Sequence, residues 1–340
     1  MTDTTDPAFL PTHEQVPAPT RESTPEPSPV ASIGVLVCTH APERLDQVAR
    51  AVASLDTQTR VPDEVLVMVD GTEQLARMVR AALPPVLPRT GLTVRVSAVG
   101  RNRGVSVART LGAEQMGTDV VAFLDDDAEA EPGWLAALAV PLDDPRVIGS
   151  SGWSEPAWIG RRPAWLPDEF LWTVGCSYAG MPTEPARVRN VYGGCAAVRR
   201  QLFLDLGGYD ADLGHGAGRS GGGEEADFGL RAAAATGGEF AFEPAAVIRH
   251  RVPAARLTWR YYLERCRSEG ELKAHMAAAS APGSLGPEVG FARALPGAVV
   301  RALLRPGHRA EALGLVLGAL AVVTGLVTGS VQARRPRRRA

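Results

Sequence analysis

The sequence predicts an α/β protein whose mostly parallel sheet is flanked by helices, and two observations carry that prediction. Four short runs, Ile33–Cys38, Val65–Val69, Leu92–Val96 and Val120–Leu124, have the length and composition of strands, and the continuously apolar ones read as buried on both faces. Helical patterns separate them: Leu45, Val48, Ala49, Val52 and Leu55 in the first gap, residues 75–83 in the second, 105–116 in the third. Strands alternating with helices build βαβ units, and ligands of such sheets sit beyond the carboxyl ends of the strands.

Past residue 150 the character shifts. Residues 151–182 hold four of the six tryptophans, Trp153, Trp158, Trp165 and Trp172, with Phe170 and Tyr178, interrupted by prolines. A helix is expected over 198–206, then a glycine-rich stretch (207–223), a helix over 224–235, a strand over 240–248 and a helix over 259–278. Residues 1–31 carry seven prolines among Thr, Glu and Ser without apolar periodicity, the composition of a disordered tail rather than a signal peptide. Residues 289–306 read as an amphipathic helix. Residues 312–333 are 22 positions without a charge, followed by a basic tail, 334–340, rich in arginine. As a helix the uncharged run would measure about 33 Å, enough for a hydrocarbon core of roughly 30 Å. The alternative is a buried helix of the globular body.

The formal charge of −2 and a hydrophobic fraction of 45% exclude a wholly disordered chain and argue against a nucleic-acid binder, which needs a positive field. Lys273 is the single lysine, which excludes mechanisms that require several. Cys38, Cys176, Cys195 and Cys266 offer no C-x-x-C spacing, so zinc knuckles and thioredoxin-like motifs are excluded, and the arrangement suits a reducing compartment.

Chemistry concentrates at a few positions. Asp125-Asp126-Asp127 follows directly on the fourth strand. Three adjacent carboxylates repel one another in a partly enclosed cleft, and a divalent cation relieves that repulsion. Oxygen ligands suit Mg²⁺ or Mn²⁺ bridging a substrate diphosphate. A solvated acidic turn capping the next helix is the bland alternative. A second cluster, Glu224-Glu225-Ala226-Asp227, opens a helix after the glycine run. It reads either as a general base at a cleft rim or as acids favoured by the helix macrodipole. Asp70 ends the second strand, where an acid binds a base or ribose or caps a turn. His250 ends a strand and reads as a core histidine or a third metal ligand. The series Gly214-x-Gly216-x-Gly218 does not lie between a first strand and its helix, so it is no dinucleotide fingerprint.

Together these residues resemble family 2 glycosyltransferases of the GT-A fold over Ile33 to about Gly270. Val37-Cys38-Thr39-His40-x-x-x-Arg44 is similar to that family's first-strand end, Asp70 to its acid near the uracil, and Gly104-x-x-x-Ala108-Arg109 to its helix at the nucleotide. Asp125 to Asp127 resemble its DxD metal motif. Glu224-Glu225-x-Asp227 with Arg231 resembles its E-D-x-D-hydrophobic-x-x-Arg pattern, with Glu225 in place of the usual aspartate. His250 and Arg265-x-x-x-Glu269-Gly270 resemble its C-terminal signature. Trp165 to Gly180, with Arg189, Asn190 and Gly193, is similar to a prokaryotic subgroup that includes glucosyl-dolichyl-phosphate glucuronosyltransferases, which extend sugars on polyprenyl-phosphate carriers.

The resemblance implies a nucleotide-binding half (32–150) and an acceptor half (151–280). It implies inverting, metal-dependent transfer from a nucleotide sugar, UDP-linked by expectation. Thr39, Arg44, Asp70, Gly104, Arg109, Asp125 and Asp126 would bind the donor. Asp125, Asp127 and His250 would hold Mn²⁺ or Mg²⁺, and Glu225 or Glu224 would act as base. Trp172, Tyr178, Asp227 and Arg231 would serve the acceptor, a glycan or polyprenyl-phosphate-linked sugar, at a membrane and with no nucleic-acid partner. A sugar nucleotidyltransferase would need a glycine-rich first loop with a lysine, and Thr39 to Arg44 has neither; a catalytically inactive binder of glycan or lipid carrier is the non-enzymatic rival. The catalytic part is expected in the cytoplasm, yet the arginine tail also favours that side, and a single span cannot satisfy both.

Overall fold

The computed structural model describes residues 32–216, 219–220, 222–279 and 286–333, so the expected N-terminal and basic tails lie outside the described residues. Strands β1 (Ile33–Thr39), β2 (Glu64–Val69), β3 (Val94–Ala98) and β4 (Val120–Asp125) pair in parallel in the order β3-β2-β1-β4. Helices α1 (Leu45–Leu55), α2 (Glu73–Ala82) and α3 (Val105–Glu114) cover the sheet. Val35, Val37, Val67 and Val121 are fully buried in consequence. Strand β3 lies two residues later than the pattern predicts, because Thr93 is taken by an antiparallel bridge to Val86.

The second half extends this sheet with strands of mixed direction. Its elements are β5 (Ala128–Ala130), α4 (Trp134–Ala139), β6 (Val147–Ile159), β7 (Ala186–Val188), β8 (Cys195–Arg199), α5 (Arg200–Asp205), a small hairpin of β9 (His215–Gly216) and β10 (Arg219–Ser220), α6 (Glu224–Thr236) and β11 (Glu239–Pro253). Strand β8 runs antiparallel between β4 and β6, β6 pairs in parallel with β11, and β5 edges β11. One expectation is corrected here. Residues 198 and 199, expected to open the helix over 198–206, end the strand Cys195–Arg199 instead, because Ala196, Ala197 and Val198 fill the narrow slot between two neighbouring strands. The tryptophan- and proline-rich region begins with a 13-residue strand. Pro156 lies past Ser151, where the ladder to β8 ends, so it interrupts no pairing with that strand.

Helices α7 (Trp259–Ala279), α8 (Gly286–Leu304) and α9 (Arg309–Ala333) close the chain. They share a core with the 3₁₀ segment Asp168–Val174, in which Trp165 stacks on Trp259 at 4.1 Å and Phe170 meets Tyr262 edge-on at 5.7 Å. The two helices beyond residue 280, expected as separate segments, therefore pack into the body of the protein.

Candidate active site

The site forms at the carboxyl end of β4, where α3, α6 and β11 converge. Arg109 of α3 is 5% exposed and lies over the rings of Phe123 and Tyr209. Its Nη2 donates to Asp125 Oδ1 at 2.9 Å and its Nη1 to Glu225 Oε1 at 3.2 Å, with Glu224 Oε1 3.8 Å away. Burial opposes the guanidinium charge, but the surrounding carboxylates, Asp125 foremost, raise its pKa above the ordinary arginine value. The glycine pair before β8 backs this arrangement. A Cβ on Gly194 would stand 2.0 Å from Asp125 Oδ2, and one on Gly193 would stand 2.4 Å from Glu225 Oε1.

Glu224 and Glu225 open α6 behind Gly223, whose φ of 88° turns the chain into the helix. The two side chains differ in access: Glu225 is 19% exposed, Glu224 only 4%. One oxygen of Glu224 has no hydrogen-bond partner, and burial together with the charge of Glu225 pushes its pKa up to about 8. Burial and the adjacent charge of Glu225 thus favour the protonated form of Glu224.

On the other side of Asp125 stands a second group. The antiparallel register that sets His250 opposite Ala128 brings the imidazole beside Asp127. His250 Nδ1 is 3.3 Å from Asp127 Oδ1, and Arg256 donates to both, at 2.9 Å to His250 Nε2 and 3.3 Å to Asp127 Oδ2. Because arginine only donates, Nε2 is the acceptor from Arg256, and Nδ1 is the ring nitrogen that faces Asp127. Burial would raise the Asp127 pKa, but the hydrogen bond and charge of His250, with Arg256 and Arg44, hold it well below the usual carboxylate range. Gly175, at φ +86°, leaves room for this ring, since a Cβ there would stand 2.8 Å from His250 Nε2. Ligand atoms of Asp125, Asp127 and His250 lie within 4.8 Å of one another. Two carboxylate oxygens and an imidazole nitrogen at that spacing form a donor set that fits Mn²⁺ or Mg²⁺.

Several expected donor and acceptor residues are engaged elsewhere. Asp126 is 3% exposed and pairs with Arg44, whose same Nη1 also reaches Asp127 Oδ2 at 3.5 Å. Burial pushes its carboxyl up to about 6 against the pull of that arginine. Asp70 accepts the backbone N–H groups of Arg103 and Gly104, at 2.7 and 2.8 Å, and so holds the entry to α3, where Gly104 adopts φ +97°. Thr39 is buried at the end of β1, its carbonyl accepting the Asp70 N–H. Arg109 bridges the carboxylates of Asp125 and Glu225. Arg231 pairs with Asp227 at 2.8 Å and donates to the Leu206 and Gly208 carbonyls, so this pair anchors the chain after α5. Trp172 lies against Phe170, and Tyr178 meets Phe291 edge-on, so both half-buried rings pack against the core shared with the C-terminal helices. Arg256 was not apparent in the sequence: it stands six residues past His250 in no motif. Gly194 likewise gives no signal apart from the general role of glycine where chains approach closely, whereas Gly175 falls inside the Trp165 to Gly180 run that carries the subgroup resemblance.

This fold, with an aspartate-rich strand end set beside an acidic helix start, is of the GT-A type. The chain belongs to glycosyl transferase family 2, whose description matches residues 35–207. It is 37% identical over 183 residues to the glucosyl-dolichyl phosphate glucuronosyltransferase of Haloferax volcanii, covering 54% of this chain and 57% of that protein. The chain thus spans little more than half the length of that relative. It is 27% identical over 272 residues to the succinoglycan biosynthesis protein ExoM of Rhizobium meliloti, covering 76% of this chain and 79% of that one. Among solved structures, a mannosyltransferase from Pyrobaculum calidifontis in complex with GDP-Man and Mn²⁺ matches with a TM-score of 0.51 at 17% identity, over 88% of this chain and 89% of its own. GalNAc-T7 with UDP, GalNAc and Mn²⁺ matches with a TM-score of 0.50 at 21% identity, over 78% of this chain and 54% of its own. These two likenesses concern the fold.

Proposed function

We propose that the protein transfers a sugar, with inversion, from a UDP-sugar to a hydroxyl of a glycan or polyprenyl-phosphate-linked acceptor at the cytoplasmic face of the cell membrane. The observation that carries this reading is the shared guanidinium of Arg109, which ties Glu225 to Asp125 of the metal-type cluster. Mn²⁺ or Mg²⁺, when bound by Asp125, Asp127 and His250, supplies Lewis-acid neutralisation of the departing diphosphate. Glu225, the more open of the paired glutamates, takes the proton of the acceptor hydroxyl through the oxygen that Arg109 leaves free. Arg109 fixes the direction of that carboxylate, and Glu224 beside it, in its favoured protonated form, adds no second negative charge. Attack from the base side, opposite the leaving group, gives a β product from an α donor. The acceptor class draws support from the likeness to the Haloferax glucosyl-dolichyl phosphate enzyme, and the membrane from the apolar helix α9.

The test is nucleotide release by the full chain over a panel of UDP- and GDP-sugars, with lipid extract as acceptor and with Mn²⁺ or EDTA. Release from a UDP-sugar that requires the metal, a β-linked product by NMR, and a loss of roughly 10²–10⁴-fold in Asp127→Asn are the expected results. Undiminished release in EDTA and in Asp127→Asn removes the metal assignment, and an α product removes the inversion.

A further inference from the structure

Helix α9 is long and apolar enough to cross a bilayer: the window Arg309–Val331 has a mean hydropathy of 2.1. Its packing argues against crossing. Helix α7 runs beside it in the same direction, backbone against backbone. The Tyr262 hydroxyl donates to the Gly314 carbonyl at 2.9 Å, a Cβ on Gly270 would stand 2.1 Å from the Val322 carbonyl, and one on Gly325 would stand 2.0 Å from the Arg267 carbonyl. Further along, a Cβ on Gly329 would stand 2.8 Å from the Glu271 carbonyl. Glycines on both helices permit this approach, the device by which helices pack tightly.

Helix α7 is a polar helix. Arg267 pairs with Glu271 at 3.3 Å, Lys273 with Glu269 at 3.1 Å, and Glu271 accepts the Thr328 hydroxyl of α9 at 3.1 Å. A membrane-crossing α9 would carry these four charges into the hydrocarbon, at about 3 kcal/mol each near the centre. The opposite face of α9 is apolar and bare. Leu313, Val316, Leu320, Val323, Val327 and Val331 recur every three or four residues and are each 42–59% exposed. Leu303 and Leu304, just before the turn into α9, are exposed as well. Arginines stand at both ends of the stripe, Arg305 and Arg309 before it and the arginine run from Arg334 after it. An apolar stripe with cationic ends is complementary to an anionic lipid surface.

We propose that α9 lies in the plane of an anionic membrane leaflet, its valine–leucine face in the acyl boundary and α7 on its protein side, and does not cross the bilayer. The placement rests on helix packing alone and holds whatever sugar the enzyme transfers. It also resolves the conflict of sidedness, because the arginine tail and the catalytic part then share one face.

Two measurements test this on the full chain. In flotation with vesicles of phosphatidylcholine containing phosphatidylglycerol, the protein is expected to float, and Leu320→Glu/Val323→Glu is expected to bind at least tenfold less while keeping the native circular dichroism melt. In inverted membrane vesicles, tags at the N- and C-termini are expected to be digested together by external protease. Opposite fates of the two tags overturn the proposal in favour of a span. Unchanged binding by the double variant, or a dimer in solution that the variant dissociates without any vesicle binding by the wild type, overturns it in favour of another role for the stripe.

Discussion

Asp125 and Glu225, one ending the fourth strand and the other in the first turn of α6, are held by a single guanidinium: Arg109 donates Nη2 to the first and Nη1 to the second. The planar fork sets the spacing of the two carboxylates and lets two like charges stand in one site. Lysine carries the same charge at a point and cannot serve two partners in one plane. Arg109→Lys is therefore expected to lower kcat by about 10²-fold, the scale of a misplacement near 1 Å. Its stability should fall by roughly 1–3 kcal/mol, because one carboxylate is left without its donor. Kinetics and urea unfolding of this variant check both numbers; wild-type kcat would show that the bridge is incidental to the chemistry.

Gly194 offers a separation of fold from function. An alanine methyl there would stand 2.0 Å from Asp125 Oδ2, and what it meets is the end of a side chain that can rotate. The backbone has little reason to move, but Asp125 must leave its place beside Arg109 and the cluster with Asp127 and His250. Gly194→Ala is expected to lose at least tenfold in kcat and in Mn²⁺ affinity, read by titration, with unfolding within about 1 kcal/mol of wild type. Equal losses in stability and activity would point to damage of the strand instead.

The paired glutamates give a third expectation. If Glu225 is the base, Glu225→Gln removes it and should reduce kcat by roughly 10²–10⁴-fold. The protonated form of Glu224 is already favoured, and glutamine is nearly its isostere, so Glu224→Gln should keep most of the activity. Initial rates of both variants at pH 7 decide the assignment, and the reverse order would transfer the base to Glu224.

What the sequence reveals of this molecule follows from where the determining contacts lie. Strands β1, β2 and β4 are within one residue of their expected bounds because a strand buried on both faces must itself be apolar. Strands β6 and β8 escape that reading, since Pro156 and the alanines at 196 and 197 owe their strand conformation to partners distant in the chain. At the site, Asp125, Asp127, Glu225 and His250 are legible as residue types at strand and helix ends, and the structure brings them together. The task of each neighbour is not. Arg231 is placed by the Leu206 and Gly208 carbonyls and Arg256 by Asp127 and His250, and a sequence without tertiary partners cannot show either.

Glu224 also ties stability to pH. Its carboxyl titrates at about 8 in the fold, against an ordinary value of 4.5 when the chain unfolds. Between these values the native protein binds one more proton than the unfolded chain. The contribution of this group is therefore full below about pH 4.5, declines as pH rises and levels off above about 8, with a slope up to about 1.4 kcal/mol per pH unit. Asp126, pushed up to about 6, acts with the same sign at lower pH, and His40, its pKa lowered by burial and by Arg44, acts in the opposite sense around 6.5, so Glu224 is read from the difference between wild type and Glu224→Gln. The lowered pKa of Asp127 acts in the opposite sense, its contribution being lost only as pH falls below the ordinary carboxylate range. Glu224→Gln stays neutral throughout and should flatten the decline, becoming more stable than wild type at pH 8. Urea midpoints of both proteins at pH 6.5, 7.25 and 8, in EDTA, measure it; parallel curves would mean that the carboxyl ionises in the native state as freely as in water.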